Sequence, residues 1–387
     1  MKTDKNWNFE YEAPTQIKFG WGILNKIAQY TENHDRVLLI CGKRSAEKNG
    51  LINRITDLLE GKTVVLFNGI SPNPKVTEIN KASDLGKKAS VTLVIGMGGG
   101  SAMDAAKACA VAIGGGQPIE YYLRQDLLAP EDTLPVVAIP TTSGTGSETS
   151  MGAIISDVEM TEKKGLRGQA ILPKLALVDP ELTLSVPLRV SAETGFDIFT
   201  HAVETFISNK SSEMTKIYSI KAIEVVLDFL PVLVIDLSNE AARTELSFAS
   251  MLMGYNLMHA GTCLPHRLQY PLGAHTECSH PGGLAALYPS WCKYTAPHAK
   301  EKFDLIAKLF ETRGYDVDNK SGALAVSDYV EILISKIGIK TDIQSFGLAE
   351  EKLEQLVNEV SGSLAADPGD TSKEGLLKIY KSSWRAK

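Results

Sequence analysis

VTLVIGMGGGSAMDAAKACAVAI, residues 91–113, reads as a buried strand, a run of glycines and a helix. VTLVI is short, apolar and β-branched, as a strand covered on both faces must be. Gly98, Gly99 and Gly100 let the backbone approach a ligand closely, and Ser101 is placed to cap the helix that follows. Exposed amides at the positive end of that helix favour a pyrophosphate. The run is neither GxGxxG nor GxxxxGK[ST], so a dinucleotide is expected from its chemistry and from no named motif. A tight turn without ligand is the plainer alternative. Asp104 falls in the first helical turns, where a carboxylate complements the dipole.

Outward from this stretch the pattern repeats. RVLLIC (36–41), KTVVLF (62–67), PVVAIP (135–140) and KLALVD (174–179) read as further buried strands, with helix-compatible segments at 76–89 and 102–113. Strand alternating with helix implies a mostly parallel sheet covered on both faces. DPELTLSVP (179–187), with a proline near each end, reads as a hinge. Beyond it strand signals nearly vanish, and 191–208, 213–230, 239–260, 300–312 and 322–337 carry helical periodicity. The expected fold is an α/β dinucleotide-binding domain with a parallel sheet, residues 1–184. An all-α metal-binding domain, residues 185–387, should follow.

Composition agrees with two domains. The chain has 387 residues, and single cores usually split beyond about 250–300. A net charge of −6 and a pI near 5.8 leave no basic excess for a general nucleic-acid binder. The polar start MKTDKNWNFEYEAPTQ lacks the apolar core of a signal peptide, and no stretch approaches the ~20 apolar residues of a membrane span. Five cysteines without regular spacing suggest reduced thiols. A cytoplasmic protein with a small-molecule substrate is expected, with neither nucleic acid nor membrane as partner.

PTTSGTGSETS (140–150) supplies a second loop at the end of a strand, rich in hydroxyls suited to ribose and amide groups. Two such loops on one sheet make a dinucleotide the economical hypothesis. After RVLLIC the chain reads Gly42-Lys43-Arg44-Ser45. An NAD site favours an acidic residue near such a strand end, to bind the ribose 2′-hydroxyl. A glycine, two cations and a hydroxyl suit a 2′-phosphate instead, so NADP(H) is favoured over NAD(H).

FDIFTHAVETF (196–206) sets Asp197 and His201 four apart in an otherwise largely apolar, helix-compatible run, hence on one face. HAGTCLPHRLQYPLGAHTECSH (259–280) adds His259, His266, His275 and His280. A carboxylate, His201 and two of these histidines would make a divalent-metal site with one open position, suited to Fe²⁺ or Zn²⁺. Spacing alone leaves open which two. Cys263 and Cys278 lack CxxC spacing, which disfavours a cysteine-based zinc site.

Taken together, APTQIKFGWGIL (13–24), GMGGGSAMDAAK (96–107), PTTSGTGSE (140–148), GFDIFTHAVE (195–204) and HRLQYPLGAHTECSH (266–280) resemble the iron-containing (group III) alcohol dehydrogenases. The resemblance runs essentially end to end and implies the dehydroquinate synthase-like fold. It implies that Asp197, His201, His266 and His280 hold the metal. It carries cofactor contacts onto Gly98, Gly99, Gly100, Ser101, Asp104, Thr141, Thr142, Thr145, Ser147 and Lys163. Gly42 and Ser45 match the NADP-preferring members, which show glycine and serine there, and a homodimer or higher homo-oligomer is implied. The chain departs from the family at Tyr270, where many relatives have histidine. It also departs at Pro281 and Leu284, which replace glycine and asparagine, and at Arg267 beside a ligand.

These readings converge on hydride transfer between a nicotinamide and a metal-activated alcohol or aldehyde. Tyr270 is the candidate for proton relay, with His275 as another. Alternatives are a lyase or polyol dehydrogenase of the same superfamily acting on a phosphorylated, phosphonate or other anionic substrate, and a non-catalytic dinucleotide sensor.

Overall fold

The computed structural model describes residues 8–384 apart from 44, 161, 340 and 341, and leaves the side chains of 45 and 162 undescribed. Contacts divide the chain into two compact units, Ala13–Val186 and Pro187–Lys387, the latter joined by the residues up to Glu12. That N-terminal segment belongs with the helices because Tyr11 stacks on His259 at 4.2 Å between ring centroids. Its neighbour Glu12 offers its carbonyl to the same imidazole at 2.9 Å.

The first unit is built on a six-stranded sheet of order β1-β8-β5-β4-β2-β3, parallel throughout. Its strands are β1 (Gln16–Phe19), β2 (Arg36–Gly42), β3 (Thr63–Ile70), β4 (Leu93–Gly98), β5 (Val136–Pro140) and β8 (Leu175–Val178). Alternate residues of one strand feed opposite cores, as a doubly covered sheet requires. Leu38 and Ile40 pack with Ala105, Cys109 and Val111 of the helix Gly100–Gly114. Val37, Leu39 and Cys41 pack with Leu51, Ile52 and Ile55 of the helix Leu51–Leu58.

Three features depart from the sequence reading. β1 lies at the sheet edge beside β8, in a segment read as no strand. β6 (Gly152–Asp157) and β7 (Glu162–Arg167) form a separate antiparallel hairpin. The third is Ser101: Gly99 is the N-cap and has no side chain to offer, while Ser101 lies inside the helix and its hydroxyl donates to the Pro72 carbonyl.

In the second unit the described residues from Leu188 onward form helices and loops only. Helices Leu188–Ile207, Glu213–Ile235, Glu240–Ala260, Lys300–Glu311 and Val326–Lys336 follow the expected segments. Helices Leu264–His275 and His280–Thr295 were hidden by their prolines. Pro265 and Pro281 sit in the first turn, where no intrahelical amide bond is lost. Among the described residues no helix is long and apolar enough to cross a membrane.

Candidate metal centre and dinucleotide loops

In the helical unit, the helix Leu188–Ile207 presents Asp197 and His201 one turn apart, both buried. Its own backbone and neighbours hold that face still. Thr200 donates to the Asp197 carbonyl at 2.8 Å, Thr205 to the His201 carbonyl at 2.7 Å, and the Tyr288 hydroxyl to the Thr200 carbonyl at 3.1 Å. His266 comes from the third position of the helix Leu264–His275, and His280 opens the helix His280–Thr295 behind its cap Ser279.

The Nε2 atoms of His201, His266 and His280 stand 3.8, 3.9 and 4.0 Å from Asp197 Oδ1. These gaps are too long for hydrogen bonds, yet suit donors sharing one ion at metal–ligand bonds of about 2.0–2.2 Å. Ligand atoms of Asp197, His201 and His266 all lie within 4.8 Å of one another. Asp197 Oδ2 and His266 Nε2 are buried and take no hydrogen bond. Burying unpartnered polar atoms costs on the order of 1–3 kcal/mol each, so such a cluster is the signature of a missing partner. Burial also pushes the His266 pKa well down, leaving the neutral ring a metal requires. The donor set fits a divalent ion of iron or zinc type.

Two residues outside the sequence reading orient these rings. Glu204, wholly buried, accepts from His266 Nδ1 at 2.8 and 3.0 Å and from the Cys263 amide at 2.7 Å. Gln269, also buried, accepts through Oε1 from His280 Nδ1 at 2.5 Å. With Nδ1 holding the proton, Nε2 of each ring presents its lone pair toward Asp197. The signal was present but mute: Glu204 follows His201 by three residues and Gln269 follows His266 by three, and such spacing is common on helices without meaning.

The other two histidines of 259–280 go elsewhere. His259 binds the Tyr11–Glu12 segment, and His275 pairs with Glu359 at 2.6 Å. Tyr270, half-buried, lies near-parallel to His280 at 6.3 Å between ring centroids.

In the α/β unit the two loops after β4 and β5 meet. Thr141 donates its amide to the Gly98 carbonyl at 2.9 Å, and Gly98 has φ +151°, open to glycine. A Cβ on Gly100 would lie 2.8 Å from Thr145 Cγ2, so only glycine lets the loops close to this distance. Thr142 Oγ1 lies 3.2 Å from where a Cβ of Gly99 would stand.

Beneath them is a buried polar knot. Lys107 is fully buried and donates to Ser147 Oγ, the Ser150 carbonyl and the Gly152 carbonyl, each at 2.9 Å. Ser147 donates to Asp104 Oδ1 at 2.6 Å, and the Ile154 amide donates to Asp104 Oδ2 at 2.9 Å. The polar atoms of Asp104 and Ser147 thus join the glycine loop's helix to the hydroxyl loop and β6. Desolvation brings Lys107 down to about 8 and Glu148, beside it, up to about 7.

Lys163 stands on β7 opposite Ser156, partly buried. Gly42 ends β2 next to Ile70. Lys43 donates to Ser71 Oγ at 2.9 Å and pairs with Glu78 at 3.1 Å, so its charge already has a partner. Arg44 lies outside the described residues, as does the Ser45 side chain.

Residues 14–180 match the family model "Iron-containing alcohol dehydrogenase", and residues 191–384 match "Fe-containing alcohol dehydrogenase family, C-terminal". The chain belongs to the iron-containing alcohol dehydrogenase family, and its activity class is that of an alcohol dehydrogenase, an oxidoreductase. It is 31% identical to Long-chain-alcohol dehydrogenase 1 of Geobacillus thermodenitrificans, over 96% of this chain and 95% of that one. It is 27% identical to NADH-dependent butanol dehydrogenase A of Clostridium acetobutylicum, over 97% and 100%. Among solved structures it is similar to sulfoacetaldehyde reductase from Bifidobacterium kashiwanohense in complex with NAD+. That similarity has a TM-score of 0.88 at 27% identity, covering 97% of this chain and 98% of that one.

Proposed function

We propose that this protein is a metal-dependent aldehyde reductase and primary-alcohol dehydrogenase that exchanges hydride with NADP(H) in preference to NAD(H). The observation that carries the reading is the convergence of three imidazole Nε2 atoms on Asp197 Oδ1, beside the buried Asp197 Oδ2 and His266 Nε2 that take no hydrogen bond. Asp197, His201, His266 and His280 would hold Fe²⁺ or Zn²⁺. When bound, the ion supplies Lewis acidity toward the substrate oxygen. Glu204 and Gln269 keep the Nδ1 protons of His266 and His280 in place, so neither ring turns its N–H toward that oxygen. Tyr270, against His280, is the proposed donor and acceptor of the oxygen's proton.

Amides of Gly98, Gly99 and Gly100 at the start of their helix would bind the pyrophosphate, with Ser101 beside them. Thr141, Thr142 and Thr145 offer hydroxyls to the ribose and amide groups, and Lys163 a cation. Asp104 and Ser147 act by tying the two loops together. The NADP(H) preference rests on Gly42, Lys43 and Ser45, with no carboxylate at the end of β2. A 2′-phosphate would have to draw Lys43 from Glu78, and the Clostridium relative is named for NADH.

The test is anaerobic NADPH and NADH consumption by Fe²⁺-loaded protein with a panel of aldehydes. Turnover lost on chelation and restored by metal supports the reductase, and a higher kcat/KM for NADPH supports the cofactor. Equal or better use of NADH removes the NADP preference, and no turnover with either removes the reductase.

A further inference from the structure

Arg267 follows His266 on the helix Leu264–His275, and its guanidinium is unusual in this chain. It is only partly exposed, and its Nε is buried without a hydrogen-bond partner. The carboxylates of that region are engaged elsewhere. Glu204 serves His266 and the Cys263 amide; Glu359 serves His275. Asp367 serves the Leu264 amide, Trp291 Nε1 and the Gly369 amide. Among the described residues no acidic group forms an ion pair with Arg267. It lies over the face of Tyr270, 5.8 Å from the guanidinium carbon to the ring centroid, and close to Gly362. A Cβ at Gly362 would lie 3.3 Å from Nη1, so that glycine leaves one edge of the guanidinium room to lie flat.

A partly buried cation without a counter-charge is costly, and one held flat over an aromatic ring keeps its forked donors aimed. The ring beneath it is Tyr270, which itself lies near-parallel to His280. Guanidinium, phenol and the most exposed imidazole of the candidate metal set thus form a row.

We infer that Arg267 is an anion subsite beside the proposed metal centre. The substrate it fits is a short aldehyde, or the matching alcohol, whose far end carries an oxyanion such as a carboxylate, sulfonate or phosphonate. The inference rests on the reductase reading above and narrows its substrate class. In that reaction the carbonyl carbon gains the hydride that the reduced nicotinamide gives up, and the carbonyl oxygen gains a proton that Tyr270 passes on from solvent. The oxyanion is unchanged and serves as the handle. Arg267 acts in recognition.

Two measurements test this together. The first is calorimetric binding of ethanesulfonate to wild type, Arg267→Met and Arg267→Lys, with and without added metal. The second is the ratio of kcat/KM for succinic semialdehyde to that for butanal in the same proteins. The expected results are saturable binding to wild type, lost in the methionine variant, and a wild-type ratio that falls at least about tenfold in Arg267→Met. Arg267→Lys keeps the charge but not the fork and should fall between, which separates recognition from misfolding. No ethanesulfonate binding, or a ratio that Arg267→Met leaves unchanged, overturns the subsite. Arg267-dependent binding in a protein that reduces no aldehyde overturns the reductase reading and leaves the subsite standing.

Discussion

Glu204 is the residue whose removal should tell most about how the imidazoles are held. Glutamine in its place has one carbonyl oxygen for two donors, His266 Nδ1 and the Cys263 amide. Glu204→Gln is therefore expected to weaken divalent-metal affinity about 10–100-fold, measured by competition with a chromophoric chelator. His266→Ala removes a donor outright and should lower affinity further; metal retention equal to wild type would disprove the site. At this scale the sequence was informative where spacing carries geometry. Asp197 and His201 were legible because four residues on a helix put two side chains on one face. Glu204 was not, because a glutamate on a helix usually meets water, and its partners lie in a segment 59 and 62 residues away. The residues themselves could not sort His266 and His280 from His259 and His275; family resemblance made that choice. In the fold, His259 and His275 prove to be committed to Glu12 and Glu359.

Among elements, the helix Leu264–His275 depends on two carboxylates brought to its first amides, Glu204 at Cys263 and Asp367 at Leu264. Asp367 also holds Trp291 Nε1, so Asp367→Ala orphans buried donors on two elements. A loss of about 2–5 kcal/mol in urea-unfolding stability is expected, with metal binding weakened because His266 sits in that first turn.

The two loops of the α/β unit give a pH prediction. Glu148 is held up to about 7 by burial, against 4.5 in an ordinary environment. Between these values the folded state binds the proton that the unfolded state has released, so this group's contribution to stability falls as pH rises through the window. Glu148→Gln removes that dependence. Its melting temperature relative to wild type should climb between pH 4.5 and 7; a constant difference would contradict the assignment.

Element types were legible wherever apolar runs were continuous, as in RVLLIC and PVVAIP. The hairpin β6–β7 was not, since β7 (EKKGLR) shows three charges in a row and, among its described side chains, only Leu166 reaches the core. The helices at 264 and 280 were obscured by their prolines, Pro265 and Pro281 in the first turn and Pro271 and Pro289 further inside.

For the molecule as a whole, ion binding should be visible as stability. A divalent metal at about a hundred times its dissociation constant adds about 2.7 kcal/mol to a state that alone binds it. Scanning calorimetry with Fe²⁺ or Zn²⁺ is expected to show a raised unfolding temperature, and Asp197→Asn to abolish the rise. An equal rise in that variant would place the ion elsewhere. The division into a sheet-bearing and a helical part was legible from the disappearance of strand signals after the hinge. The membership of the first described residues was not, because nothing local in FEYEAP announces a partner near residue 259.

That membership matters while the protein is being made. Glu12 and His259 are 247 residues apart, and at ribosomal speeds of about 5–20 residues per second they are translated tens of seconds apart. Within that interval the whole of Ala13–Val186, a compact unit, is made before the imidazole against which Tyr11 will stack. The contacts of Tyr11 and Glu12 with His259 therefore form only after residue 259 has been made. A nascent chain halted before residue 259 would hold Tyr11 beside Tyr218 but without the imidazole on which it stacks.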